Sequence, residues 1–357
     1  MPLQTQLQQT QLQQTLLQQS GAHVEDGIVL HFGDAERELG FARSGSVLAE
    51  LSLFGLLRFS GDDAQGFLQG QLSCDVAATA HHAWVFGGYC SPKGRLLANF
   101  ILWQAGPAEY SMLLPKVLLP AVQKRLTMYV LRSKVKIADL TPAHALLGAA
   151  GGEAARALAA LYPPLPRQAH AVQINPDRGA LLVLPGERFL MCIETPSAAA
   201  LWRSLAGTLQ PVGTPVWEWL DVAAGIPWIL PRTQELFVPQ MVNLDQIGGV
   251  SFSKGCYPGQ EIVARTQYRG ILKRRMFLAH LDTSHPGIVM PNPGDDAFAD
   301  DLPGQASGSV VNARSAPGGG VDLLAVVQIA SRERSVVHVA SPEGPVLEFR
   351  PLPYTAP

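Results

Sequence analysis

From residue 44 onward, apolar and polar positions change over in short runs, each about the length of a strand or a short helix. Residues 49–60 (AELSLFGLLRFS) read as strand, with Gly55 as the expected bend. Asp62 and Asp63 stand where a helix N-cap belongs, because a short acidic side chain accepts from the free N–H groups of a first turn. Ala64, Phe67, Leu68 and Leu72 follow at helical spacing. Residues 82–89 and 96–103 then read as two strands around Ser91-Pro92-Lys93-Gly94, a hairpin with its tip at Lys93-Gly94. Further strands are predicted at 110–114, 133–139, 169–174, 179–184 and 188–193. Helices are predicted at 118–128 and 197–208, and residues 143–161 read as a strand leading into an Ala-rich helix. Hairpins and helices mix without a regular strand–helix–strand alternation, so the predicted class is α+β rather than a doubly wound sheet.

The pattern changes near Leu272. Short strands are predicted at 276–281, 296–299, 307–313, 323–327, 336–339 and 346–349. Turn clusters such as Pro291-Asn292-Pro293-Gly294 and Pro317-Gly318-Gly319-Gly320 divide them. Even spacing of short strands predicts a small β-barrel over 273–357. Residues 44–272 form the region before it, divisible into lobes 44–140 and 141–272. Residues 1–20 hold nine glutamines and a five-residue echo beginning at Leu7, Leu12 and Leu17. A period of five does not match 3.6, so these leucines form no helical stripe. No Lys or Arg precedes Arg37, whereas secretion signals and transit peptides begin with positive charge. Residues 1–43 are therefore expected to be a polar, disordered extension.

The chain has 357 residues, 47% hydrophobic and 16% charged, so it has ample material for a core. Lys and Arg number 27 against 29 Asp and Glu, a net charge of −2. That argues against a globally basic nucleic-acid binder. The richest apolar run, 112–122, is broken by Pro115, Lys116 and Pro120. A bilayer span needs about 20 apolar residues, so a soluble protein without a membrane partner is expected. Cys74, Cys90, Cys192 and Cys256 contain no C-x-x-C pair. No resident metal is expected, and such sparse cysteines suit a reducing cytoplasm. His81-His82 and the pair His280/His285 also lack ligand partners at useful spacing. No dinucleotide, phosphate-loop, serine-hydrolase or zinc-protease motif is present.

The informative stretch is Ser253-Lys254-Gly255-Cys256-Tyr257-Pro258-Gly259-Gln260-Glu261-Ile262-Val263-Ala264-Arg265. Two glycines and a proline make a tight turn, and Gln260 can open a helix behind it. Glu261 and Arg265 are four apart and would share a helix face. Cys256 would then lie near a helix N-terminus and two residues from Lys254, and both features favour a reactive sulfur. A structural turn around a buried cysteine suits the same residues, and the sequence leaves both readings open.

Two basic stretches stand out. One holds Arg265, Arg269, Lys273, Arg274 and Arg275, with no acid between Ile262 and Leu281. The other holds Lys116, Lys124, Arg125, Arg132, Lys134 and Lys136, with no acid from Tyr110 to Ala138. Either suits an anionic ligand such as a carboxylate tail or RNA phosphates, and either suits a solvated surface. Trp217, Trp219 and Trp228 could stack on a planar heterocycle or pack in the core.

The segment Lys254 to Arg265 resembles the signature of the YgfZ-type folate-binding proteins, relatives of the aminomethyltransferase (T protein) of glycine cleavage. Supporting segments follow in the same order. Gly61-Asp62-Asp63-Ala64 with Phe67 to Gln71, Asp75 and Val76 resembles the family's first helix. Cys90 to Arg95 resembles its hairpin. Ala224 to Pro227, Val238 to Gln240 and Asn243 precede the signature. The resemblance covers roughly residues 50–345.

It implies an aminomethyltransferase-like folate-binding region followed by a carboxy-terminal β-barrel. It implies tetrahydrofolate, or a one-carbon derivative, as cofactor. It implies iron–sulfur client or assembly proteins as partners, including enzymes that modify tRNA. Cys256 would be the reactive thiol and Lys254 would tune it, while Arg265 with Glu261 would hold the loop. Gly255, Tyr257, Gly259, Gln260, Glu261, Arg265, Asn243, Gln240 and Trp228 are the implied cofactor contacts.

Aminomethyl transfer is not implied. Where the T protein carries K-G-G-I-I-D-D, this chain has Lys93-Gly94-Arg95-Leu96-Leu97-Ala98-Asn99, and neither Ala98 nor Asn99 can serve as a carboxylate base. Where it carries R-L-E-A-G, this chain has Asp221-Val222-Ala223-Ala224-Gly225. The alternative is a one-carbon transferase using a different base, with Asp221 or Glu261 as candidates. Direct tRNA binding through the basic stretches is a third reading.

Overall fold

Two six-stranded sheets and one five-stranded sheet organise the chain in the computed structural model, which describes residues 21–268, 272–284 and 288–354. Side chains of Ser44 and His81 lie outside that description, as do Arg269 and His285. The fold divides into two compact units. One comprises residues 21–67, 77–85 and 101–217; the other comprises 68–76, 86–100 and 218–354.

The first unit is built on a sheet running, edge to edge, Val172–Asn175, Gly179–Leu184, Arg188–Glu194, His144–Ala150, Val47–Glu50 and Gln210–Val212. Every pairing is antiparallel except the last, where Gln210–Val212 lies parallel to Val47–Glu50. Helices Gly152–Leu161 and Thr195–Ala206 supply Leu158, Leu201, Trp202 and Leu205 to its core. There they join Leu147, Leu181, Phe189 and Met191 from the strands. A five-stranded sheet follows the order Trp84–Cys90, Leu96–Gly106, Glu109–Pro115, Phe54–Ser60, Lys136–Asp139, the last four paired antiparallel. The expected bend at Gly55 falls instead at residues 51–53, where the chain leaves one sheet for the other. Gly55 is inside a strand because a Cβ there would sit 3.1 Å from Thr141 Oγ1 and collide with Leu119 Cδ1.

The expected extension is shorter than residue 43. Residues 1–20 lie outside the described residues, but His23–Glu25 and Ile28–His31 form a hairpin and Ala35–Ser44 a helix. The cause is local chemistry. Asp26 and Gly27 take positive φ (48° and 78°), the conformation of a two-residue hairpin turn. Asp34 caps the helix by accepting from Arg37 N at 3.0 Å. Glu38 then ties the helix down by accepting from Phe32 N and Gly213 N.

In the second unit the small carboxy-terminal barrel is a six-stranded antiparallel sheet curled into a half-barrel, with Val337–Val339 and Glu348–Arg350 at its edges. Between them run Asp296–Ala299, Ala306–Ser315, Val321–Gln328 and Arg274–Leu281. One face buries Ala279, Val310, Leu323, Ala325 and Val327. This sheet belongs to a unit that also takes in residues 218–268 and the tip of the Trp84–Cys90/Leu96–Gly106 hairpin. No helix among the described residues is long and apolar enough to cross a membrane.

Candidate functional site

Helix Gln260–Tyr268 begins at the residue the turn pattern predicts. Ahead of it Gln260 N donates to Tyr257 O (3.1 Å), and Gly259 has φ +81°. Gly259 packs backbone to backbone against the hairpin tip. A Cβ on it would lie 2.6 Å from both Gly94 Cα and Gly94 N and would run into the Ser91 carbonyl. Gly94, at φ +68°, is equally confined, since its Cβ would lie 3.1 Å from Gly259 O and 2.9 Å from Ile262 Cβ. Only glycine satisfies both the left-handed backbone and this approach. The signature loop and the hairpin tip are therefore one assembled piece.

Lys254 fastens the loop's other end. Its Nζ donates to Leu72 O and Cys74 O, both at 2.7 Å, and lies 5.4 Å from the centre of the Tyr257 ring. Partial burial holds its ammonium below the ordinary lysine value. Lys254, expected to act on Cys256, is thus engaged by two carbonyls, because an ammonium carries three donors and this segment offers two acceptors. Between those carbonyls, Ser73 Oγ donates to Gly249 O (2.6 Å) and accepts from Gly88 N (2.8 Å). Tyr257 is buried, and burial pushes its hydroxyl well up.

Cys256 is exposed, which removes the buried-cysteine reading. The other three thiols are buried, and burial pushes each up to about 12. A thiol so desolvated forms little thiolate near neutrality, so reactivity toward external reagents concentrates at Cys256. Gly255 beside it is exposed, with open space where a Cβ would stand. Glu261 and Arg265 share the exposed face of the helix.

The remaining expected contacts are also tied into the frame. Gln240 Nε2 donates to Val263 O (2.7 Å) and so anchors the helix. Asn243, at φ +59° and fully buried, donates from Nδ2 to Met276 O and accepts at Oδ1 from Arg275 Nη1. Arg275 in turn makes a two-pronged ion pair with Asp245 (3.1 and 3.2 Å), leaving that cation internally matched. Trp228 donates its indole N–H to Asp221 Oδ2 (2.9 Å), and its backbone is gripped by Asn312 on both sides. Trp219 donates to Asp322, which also accepts from His280 and Arg350. Trp217 is core.

Asn99 has a role the sequence did not announce. It is fully buried, donates from Nδ2 to Pro227 O (2.7 Å) and accepts at Oδ1 from Ile229 N (2.8 Å). An amide can do both at once, whereas a carboxylate can only accept. The signal lay in the Ala98-Asn99 departure itself, but the partners, 128 and 130 residues away, were invisible. Tyr354 was likewise missed; its hydroxyl donates to Gly225 O at 2.7 Å.

Three buried polar atoms around the signature loop have no partner: Gln71 Oε1, Ser91 Oγ and Gln240 Oε1. Each belongs to a segment that touches the loop. Gln71 precedes Leu72, the Ser91 carbonyl meets Gly259, and Gln240 holds Val263. Leaving such atoms unpaired costs about 1–3 kcal/mol each, so the arrangement suits something that brings hydrogen-bond donors.

No protein-family model matches the chain. It is 33% identical to a protein named tRNA-modifying protein YgfZ from Yersinia pseudotuberculosis serotype O:1b (strain IP 31758), over 320 residues covering 88% of this chain and 94% of that one. A protein of the same name from Sodalis glossinidius is 33% identical over 312 residues, covering 86% and 92%. Among solved structures, the glycine cleavage system aminomethyltransferase T of Bartonella henselae superposes with a TM-score of 0.77. It is 17% identical, and the match covers 96% of both chains. The fold is that of the aminomethyltransferase.

Proposed function

The chain belongs to the YgfZ family of tRNA-modifying proteins, and from that premise we propose that it is a tetrahydrofolate-binding accessory protein supporting iron–sulfur enzymes, tRNA-modifying ones among them. The observation that carries this reading is the contrast between two positions. Cys256 is exposed on a loop locked in place by Gly94, Gly259 and Lys254. Asn99, where the transferase would need an acid, is buried and engaged at both ends of its amide.

A reduced pterin offers ring N–H and amino donors, and Gln71 Oε1 and Gln240 Oε1 are acceptors without partners. These residues fit such a ring, with Ser91 Oγ able to donate or accept. Arg265, exposed at the last turn of its helix, is the cation for a glutamate tail. When bound, the folate supplies one-carbon chemistry at its reduced ring. The protein's own part is to hold that ring against a rigid loop and to present the Cys256 sulfur to a client. Four free thiols support a reducing, cytoplasmic setting for this work.

The transferase alternative needs a base. Asp221 is 3% exposed and accepts the Trp228 indole, which suits a structural acid more than a proton acceptor open to substrate. Calorimetry with tetrahydrofolate on the native protein and on Gln71→Leu and Gln240→Leu tests the binding site, with both variants expected to lose most of the heat. Undiminished binding by both would remove the pterin from these residues. Turnover of an aminomethyl donor to methylene-tetrahydrofolate would instead favour the transferase.

A further inference from the structure

We propose that the outer surface of residues 116–136 is a docking site for the phosphate backbone of a folded RNA. It rests on the tRNA-linked role above for its choice of ligand. Helix Leu119–Val130 turns Leu119, Val122 and Leu126 into the core and leaves the opposite side free. Lys124 and Met128, four apart, share that outward face; Arg125 and Tyr129, also four apart, share the flank. Lys116 precedes the helix, and Arg132, Lys134 and Lys136 follow it, all four exposed. The helix alone is about 18 Å long, enough for its flanking cations to meet several successive phosphates.

Acids neutralise only part of this row. Lys134 pairs with Asp62 at 3.3 Å, and Lys116 faces Glu50, a carboxyl that burial holds up at about 7. Among the described residues, Lys124, Arg132 and Lys136 form no ion pair. In a chain of net charge −2 such segregation creates a local positive field. Large apolar groups are exposed among the cations: Tyr129 at 43% and Leu131 at 86%. An exposed tyrosine beside cations gives an unpaired base a ring to stack on. The helix has already turned its apolar stripe inward, so the outward face, with Lys124 at its centre, is not the continuous apolar face a membrane-lying helix needs.

The test is anisotropy of a labelled, unmodified tRNA transcript with the full-length protein over a salt series. Binding is expected to weaken steeply with salt. Lys124→Gln/Arg132→Gln/Lys136→Gln should lower the magnitude of the log–log slope by about 2–3 and weaken binding at least about tenfold near 100 mM salt. Tyr129→Ala should keep the slope while weakening affinity about tenfold. Absence of binding, or an unchanged slope in the triple variant, overturns the assignment. So does equal competition by polyglutamate, which would mark an acidic protein as the occupant. Tetrahydrofolate calorimetry on the native protein separates the two ideas: an intact folate heat with no RNA binding by that same protein sinks this inference and leaves the proposed function standing.

Discussion

Asn99→Asp is isosteric, yet it should be among the more damaging single changes in the second unit. In the native protein one amide donates to Pro227 O at 2.7 Å and accepts from Ile229 N at 2.8 Å, with no exposure to water. An ionised carboxylate keeps the second bond and turns the first into two facing oxygens. The stranded carbonyl costs about 1–3 kcal/mol. An uncompensated buried charge brings the total to about 3–5 kcal/mol at neutral pH. The carboxyl can escape by keeping its proton, which it then donates to Pro227 O. Its pKa in the folded state is therefore expected above the unfolded value near 3.9. The folded form then binds more protons than the unfolded chain. Stability relative to wild type should fall as pH rises above about 4, by up to about 1.4 kcal/mol per unit, and level off once the folded carboxyl ionises. Urea unfolding followed by tryptophan fluorescence, at several pH values from about 5 to 8, reads this directly. Parallel stability profiles for variant and wild type across that range would refute the reasoning and show that Asn99 is not a two-ended clamp.

Other outcomes follow from the same geometry. One thiol per chain should react with a bulky maleimide in the native state and four in denaturant, counted by mass spectrometry; modification of Cys74, Cys90 or Cys192 before unfolding would contradict their burial. Gly259→Ala should lose about 2 kcal/mol or more, from left-handed strain plus the clash with the Ser91–Gly94 backbone, and should raise hydrogen exchange at the hairpin tip; exchange unchanged there would separate the two segments. Lys254→Met should cost about 2–4 kcal/mol by leaving the Leu72 and Cys74 carbonyls unpaired, measured by thermal unfolding, and a near-neutral effect would mean that other donors replace the ammonium. Burial raises Glu50 from 4.5 to about 7, so the folded state holds an extra proton between those values and stability drops as pH climbs through that window. Glu50→Gln should flatten that segment of the profile by about 3 kcal/mol at most, and a persistent slope would assign it elsewhere.

Much of the site was legible because its elements are short and their signals local. The hairpin tip at Lys93-Gly94 and the helix opening at Gln260 both come from turn residues acting on their immediate neighbours. Strands such as Gly179–Leu184 and Asp296–Ala299 match their apolar runs. The hairpin at His23–Glu25 and Ile28–His31 is also written locally, in Asp26-Gly27, within the stretch expected to be an extension. Helix Thr214–Ala223 is absent from the predicted elements, and of its tryptophans, readable as stacking or core residues, Trp217 is core. What no local pattern carries is pairing across distance: Lys254 with Leu72 and Cys74, Asn99 with Pro227 and Ile229, Gln240 with Val263. These tie the expected contacts into the scaffold, and only folding reveals them.

The meeting of Gly94 with Gly259 has an evolutionary corollary. When two side chains collide, a smaller neighbour can usually restore the fit. Here both partners are already the smallest residue there is, and the opposing surface is main chain. A suppressor screen begun from Gly259→Ala should therefore recover reversion at that codon and no second-site change at position 94.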